Sequence, residues 1–163
     1  MVAQDLKVPL DSHYLETKTG LPVMKLADFL THDLISNLVK DAVIILLPHP
    51  SVPNYGHWVL FMCLPISGSG LNAKPLFEYF NSLGKPIPVE LSDYFLVHLP
   101  PGSRVRYSHI PLQKKNSETQ TCGRWVIIRY LLRNIPLSRF VSIFSKKISS
   151  NIRDYLVTCI TND

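Results

Sequence analysis

A cysteine and a histidine are the residues of this chain best suited to covalent chemistry. Cys122 is followed by Gly123 at the start of an apolar segment with helical spacing, and His57 opens an apolar strand much earlier in the chain. A thiol is a strong nucleophile only as the thiolate, and a helix N-terminus or a neighbouring imidazolium lowers its pKa. Residues so far apart in sequence meet only through the fold, as the dyads of cysteine hydrolases do. The pattern therefore predicts a cysteine peptidase, with Cys122 as nucleophile and His57 as general base.

Composition favours one compact domain that spans residues 1–163. The chain is 46% hydrophobic and 18% charged, which is typical of a globular protein and excludes a disordered one. Three cysteines are too few and too widely spaced for a disulfide framework or a zinc knuckle, so we expect free thiols in a reducing compartment and neither metal nor cofactor. A net charge of +5 indicates a solvated basic surface more often than a nucleic-acid site, and a weak association with nucleic acid stays open.

Hydrophobic periodicity predicts a helix, then a sheet, then further helices, which is the order of an α+β fold. Residues 1–24 are expected to form an extended N-terminal arm, and the prolines between 48 and 53 indicate a loop. The longest apolar runs are much shorter than a bilayer span, and the N-terminus lacks a signal peptide, so neither a membrane partner nor secretion is expected. The predicted strands are 43–47, 57–64, 76–81 and 104–107, with a hairpin connection at 67–70; the predicted helices are 26–39, 91–99, 122–133, 137–144 and 151–160.

Four short motifs follow one another in a fixed order: Gly56-His57-Trp58, Phe80-Asn81-Ser82-Leu83-Gly84, Leu112-Gln113 and Thr121-Cys122-Gly123. Together they resemble the adenovirus-protease and SUMO-protease superfamily of cysteine peptidases, and the resemblance covers residues 41–144. The nearest resemblance is to the maturation proteases of virophages and polinton-type elements. It implies a papain-like or adenain-like fold, with a central mixed β-sheet between helices and the nucleophile at a helix N-terminus.

The resemblance also implies a role for each motif residue. Asn81 would complete a triad by orienting the imidazole of His57, since an amide oxygen can accept a hydrogen bond from the ring. Gln113 would form the oxyanion hole with the backbone N–H of Cys122. Trp58 and Gly123 would contact the substrate.

Three alternatives to these roles stay open on the residues alone. Glu78 is the rival carboxylate for the third position, although strand alternation places it on the opposite face from Asn81. Gln120 is the rival oxyanion donor, since Gln113 lies farther from the cysteine than in adenovirus-like members. His109 is the reserve general base, because it precedes the glutamine loop.

The predicted function is that of a viral cysteine endopeptidase that cleaves capsid precursors during virion maturation through an acyl-enzyme. Its substrate would be a viral structural protein, and it would act in the virion or in the host cytoplasm at a viral factory. The alternatives are a deubiquitinase or deSUMOylase-type isopeptidase, a Cys-His protein acyltransferase, and an inactive relative.

Overall fold

A five-stranded mixed sheet forms the centre of the protein in the computed structural model, which describes residues 7–31, 42–64, 74–114, 120–145 and 149–162. The strands lie side by side in chain order. The two outer pairs are parallel and the two inner pairs are antiparallel. The strands are β1 (Val23–Lys25), β2 (Ala42–His49), β3 (Val52–Leu64), β4 (Leu76–Phe80) and β5 (Arg104–Arg106).

Helices cover both faces of this sheet. They are α1 (Ser12–Thr19), α2 (Leu26–Thr31), α3 (Val89–His98), α4 (Cys122–Leu131), α5 (Leu137–Ser145) and α6 (Ser150–Thr161). On one face α4 packs on β3, and α5 and α6 contribute to the same core; on the other face α2 and α3 enclose an aromatic cluster. The predicted α+β architecture, with a mixed sheet between helices and Cys122 at the start of a helix, is therefore confirmed.

Strand β3 shows why the sequence of the sheet is apolar without alternation. Leu60 and Met62 belong to the core beneath α4, whereas Val59 and Phe61 belong to the core beneath α3. The ring of Phe61 stacks on that of Phe95 at a centroid distance of 4.3 Å. Because both faces are buried, the strand reads as a continuous hydrophobic run, and its position is rigidly fixed.

The N-terminal arm differs from its prediction. Ser12–Thr19 form a helix, and strand β1 follows it, so the segment 1–24 is not extended throughout. Asp11 caps the helix by accepting a hydrogen bond from the backbone N–H of Tyr14 at 2.7 Å, and Gly20 ends it with a φ of 69°. The two caps stabilise this short helix. Hydrophobic periodicity does not predict it, because its apolar periodicity is weak.

The proline-rich stretch also differs from its prediction. Strands β2 and β3 continue through it as a hairpin, and the register shifts between Pro48 and His49. The prolines stand near the end of this hairpin, where a missing N–H costs little. The helical spacing predicted for 32–39 and the hairpin connection at 67–70 lie outside the described residues. Within the described ranges, no helix is both long and apolar enough to cross a membrane.

Candidate active site

One groove of about 1230 Å³ collects the chemically active side chains that the sequence keeps apart. His57, Asn81, Gln113, Gln120 and Cys122 all line it. These residues come from the β2–β3 hairpin, the turn after β4, the loop after β5 and the start of α4. The groove is therefore the place where a nucleophile, a base and amide groups could act on one substrate.

Cys122 is the first residue of α4, and its side chain borders the groove. Cys122 is only 8% exposed to solvent, and this burial raises the pKa of its thiol. The backbone N–H groups of Trp58, Gly123 and Cys122 itself act in the opposite direction by stabilising the thiolate. The sequence predicted a lowered thiol pKa from the helix N-terminus. The direction is the opposite, because removal of water from the sulfur outweighs these donors.

The hydrogen bonds of Asn81 fix the tautomer of His57. Asn81 Oδ1 lies 2.9 Å from His57 Nε2 and also accepts the backbone N–H of Leu83 at 2.9 Å. Because a backbone N–H can only donate, the atom of Asn81 that faces both groups is the oxygen. His57 Nε2 therefore carries the hydrogen, and Nδ1 keeps its lone pair and can accept a proton.

His57 is neutral in this environment. Burial lowers the pKa of His57 to about 4, and the hydrogen bond to Asn81 offsets part of the effect while the charge of Lys85 adds to it. Since the thiol pKa is raised and the imidazole pKa is lowered, the resting pair is a thiol and a neutral imidazole. The imidazole then removes the thiol proton as the sulfur attacks, and no thiolate–imidazolium ion pair forms beforehand.

Gln113 is held by the residue that follows Asn81. Ser82 Oγ donates to Gln113 Oε1 at 2.8 Å, and the backbone carbonyl of Ser82 accepts the N–H groups of Leu112 and Gln113. Ser82 therefore fixes the position of the Gln113 amide through its oxygen. Two adjacent residues thus orient the histidine and the glutamine.

Gly84 allows this turn to approach the glutamine loop. Its φ is 66°, and a Cβ at this position would lie 2.6 Å from the carbonyl oxygen of His109. A larger residue would therefore push the turn away from the segment that carries Gln113.

Glu78, the rival for the third position, is engaged elsewhere. Its carboxylate is fully buried and accepts Arg129 Nε at 2.6 Å and Arg106 Nε at 2.9 Å. The interaction with Arg129 lies beneath α4 and joins this helix to β4. The structure gives Glu78 a role in the core, whereas the imidazole of His57 contacts Asn81.

The other two alternatives differ in position. Gln120 lines the groove, as Gln113 does, so both glutamines lie within it. His109 is absent from the residues that line this groove in the described part of the chain, and its ring lies against Tyr107 at 4.8 Å.

Trp58 and Gly123 occupy different positions relative to the groove. Trp58 lines it, and its indole N–H donates to the carbonyl of Leu10 at 2.9 Å, so it also anchors the N-terminal segment. Gly123 is buried, and a Cβ there would lie 3.2–3.3 Å from Leu10, Leu15 and Trp58. The glycine lets the start of α4 pack closely against this cluster. Contact of either residue with a substrate stays a prediction.

Comparison with known proteins finds similarity in sequence and in fold to viral proteins. No family model matches the chain. An uncharacterized protein of Sputnik virophage is 29% identical over 125 residues, which cover 66% of this chain and 67% of that protein.

Two crystal structures of the ASFV pS273R protease superpose with TM-scores of 0.60 and 0.54 at 15% and 14% identity, and each match covers 95% of this chain and 68% of the other. A de-sumoylating protease gives a TM-score of 0.38 at 15% identity, covering 99% of this chain and 72% of the other. The chain therefore has the fold of the ASFV protease, as the motif resemblance predicted.

Proposed function

We propose that this protein is a cysteine endopeptidase that uses Cys122, His57 and Asn81 as a triad. The observation that carries the proposal is the position of His57 and Cys122 in one groove, with the lone pair of His57 Nδ1 left for a proton by the Asn81 hydrogen bond. A buried thiol that shares a groove with such a base would be activated as a nucleophile at the moment of attack.

The reaction would proceed in two displacements. His57 Nδ1 takes the thiol proton as the sulfur of Cys122 bonds to the peptide carbonyl carbon, and the negative oxygen is stabilised by the Gln113 amide and the Cys122 backbone N–H. The C–N bond then breaks, and the amine leaves with the proton from His57. A water molecule, deprotonated by His57, attacks the thioester and releases the acid and the free thiol.

For the substrate, we propose a precursor of a viral structural protein, cleaved in the virion or in the host cytoplasm. The identity to a virophage protein and the shared fold with the ASFV protease support a viral setting. Removal of a ubiquitin-like modifier requires the same chemistry with a different docking surface, so an isopeptidase is the competing function.

The test is to incubate the purified protein separately with capsid precursors from virophage-like viruses and with ubiquitin or SUMO fusions. We expect cleavage of a precursor at a defined position, read by mass spectrometry of the new termini. Cleavage confined to the modifier fusions would favour the isopeptidase over the endopeptidase. Absence of product from both groups, with Cys122 verified as a free thiol, would contradict both functions.

Asn81 variants test the third member of the triad. Asn81→Ala should lower kcat with little change in KM, because ring orientation matters mainly in the transition state. Asn81→Asp keeps an acceptor oxygen and adds a negative charge that stabilises the imidazolium, which raises the pKa of His57 from its value of about 4. Since the base works only when deprotonated, the acid limb of kcat/KM should move to higher pH in this variant.

The matched control for Asn81→Asp is Asp93→Asn on α3, which changes the charge at an exposed position away from the groove. Its acid limb should coincide with that of the wild type. An acid limb that stays in place in Asn81→Asp, with wild-type kcat in Asn81→Ala, would remove Asn81 from the triad.

A further inference from the structure

Asp154 is a buried carboxylate whose two oxygens bind two separate segments, one that contains Thr121 and Trp125 and one that follows Gln113. It lies on α6, is fully buried, and accepts hydrogen bonds through Oδ1 from Thr121 Oγ1 at 2.7 Å and Trp125 Nε1 at 2.9 Å. Its Oδ2 accepts the backbone N–H of Lys114 at 2.9 Å. Hydrogen bonds to an ionised acceptor in a buried setting are among the strongest in proteins.

The three donors stand next to the two groups that would stabilise the transition state. Thr121 directly precedes Cys122, and its carbonyl accepts the N–H of Trp125 in the first turn of α4. Lys114 directly follows Gln113. Asp154 therefore fixes the distance between the segment that contains the nucleophile and the segment that contains the oxyanion donor. The side chain of Gln113 is held separately, by the hydrogen bond from Ser82.

We propose that Asp154 is a positioning residue for the oxyanion hole, an inference that rests on the proposed peptidase function. The hole would have two donors, the Gln113 amide and the Cys122 N–H, which lie nine residues apart in the chain and belong to different local structures, a loop and the start of α4. Both must be placed within about 0.5 Å of the productive geometry. A single carboxylate that accepts hydrogen bonds from both segments sets this spacing without touching the substrate.

The chemistry of the donors makes Asp154→Asn a sharp test. Trp125 Nε1 and the Lys114 N–H can only donate, whereas the hydroxyl of Thr121 can also accept. Whichever way the asparagine amide is turned, its N–H₂ opposes one of the two obligate donors. We therefore expect kcat to fall between about tenfold and 100-fold, while KM stays within about twofold.

A second variant should restore activity. In Asp154→Asn combined with Trp125→Phe, the amide oxygen can face the Lys114 N–H and the amide N–H₂ can donate to Thr121, so no donor is opposed. We expect its kcat to exceed that of Asp154→Asn alone. A residue that merely stabilised the fold would give a double variant weaker than either single one, because a second buried hydrogen bond and the indole volume are lost.

The experiment measures kcat and KM for peptide cleavage, the rate of Cys122 alkylation by iodoacetamide, and Tm for the wild type and each variant. Alkylation needs the thiol and its base but no oxyanion hole, so it should change much less than kcat in Asp154→Asn. Thr121→Val removes only one of the hydrogen bonds that Asp154 accepts, so it should lower kcat about threefold to tenfold. If Asp154→Asn does not fold, Thr121→Val tests the positioning role in its place.

Wild-type kcat in both Asp154→Asn and Thr121→Val would overturn the positioning role, and so would parallel losses of kcat and alkylation without restoration in the double variant. Asp93→Asn, the same chemical change at an exposed site, should match the wild type. If the wild type cleaves peptide, these results overturn only the positioning role of Asp154 and leave the proposed peptidase function intact. A wild type that cleaves no peptide would refute the peptidase itself and this inference with it.

Discussion

Cys122→Ala is expected to abolish peptide cleavage while the protein still folds. The substitution removes the sulfur that would form the acyl-enzyme, and loss of a catalytic nucleophile lowers kcat by a factor on the order of 10⁴ or more. The side chain borders the groove, so its truncation leaves a small cavity at most and costs about 1 kcal/mol of the free energy of unfolding. Cleavage rate, measured beside Tm, separates these two effects.

The other two cysteines are the controls for this prediction. Cys63 and Cys159 are partly buried free thiols, and neither lines the groove. Burial raises the pKa of the Cys63 thiol as it raises that of Cys122, but Cys63 lies outside the groove that holds His57. Cys63→Ala and Cys159→Ala should cleave at wild-type rates. Full activity in Cys122→Ala, or its loss in either control, would transfer the nucleophile to another residue.

The arrangement of the groove could be predicted because short-range rules set the positions of its parts. An apolar run after Cys122 requires a helix that starts there, and the run after His57 requires a strand. The predicted strand 76–81 ends at Asn81, one residue beyond the observed end of β4 at Phe80. Local rules do not say which elements come together, and the resemblance of the motif order to a known family supplied that information. His57 and Asn81 do contact each other.

Features that depend on distant partners could not be predicted in this way. The direction of the Cys122 pKa shift follows from burial, which is a property of the packed fold and leaves no mark in the Thr121-Cys122-Gly123 motif. Asp154 receives donors from two segments far earlier in the chain. The sequence gives no signal for it, because Asp154 shares the buried face of α6 with Val157 and two threonines, whereas the apolar residues at helical spacing are exposed.

His57→Ala tests the general base through two reactions of the same sulfur. Near neutral pH the Cys122 thiol stays protonated, since burial raises its pKa. Without an imidazole to take the proton, both peptide cleavage and alkylation by iodoacetamide should fall, each by about 10²-fold or more. In the wild type, alkylation should rise as the pH increases through about 4, the pKa of His57. In the variant it should rise only at higher pH, as the thiol itself ionises.

Mass mapping of the alkylated protein identifies which cysteine reacts, and His13→Ala on α1 is the matched control, since this histidine is exposed and lies outside the groove. The control should be labelled at Cys122 at the wild-type rate across the pH range. Equal labelling of Cys122 in the wild type and in His57→Ala near neutral pH would show that another group takes the proton. His49 is the other histidine that lines the groove among the described residues, so that result would direct the search to His49. A labelling profile in His57→Ala that follows the thiol alone would instead establish that the neutral imidazole, and not a preformed ion pair, makes this buried sulfur reactive.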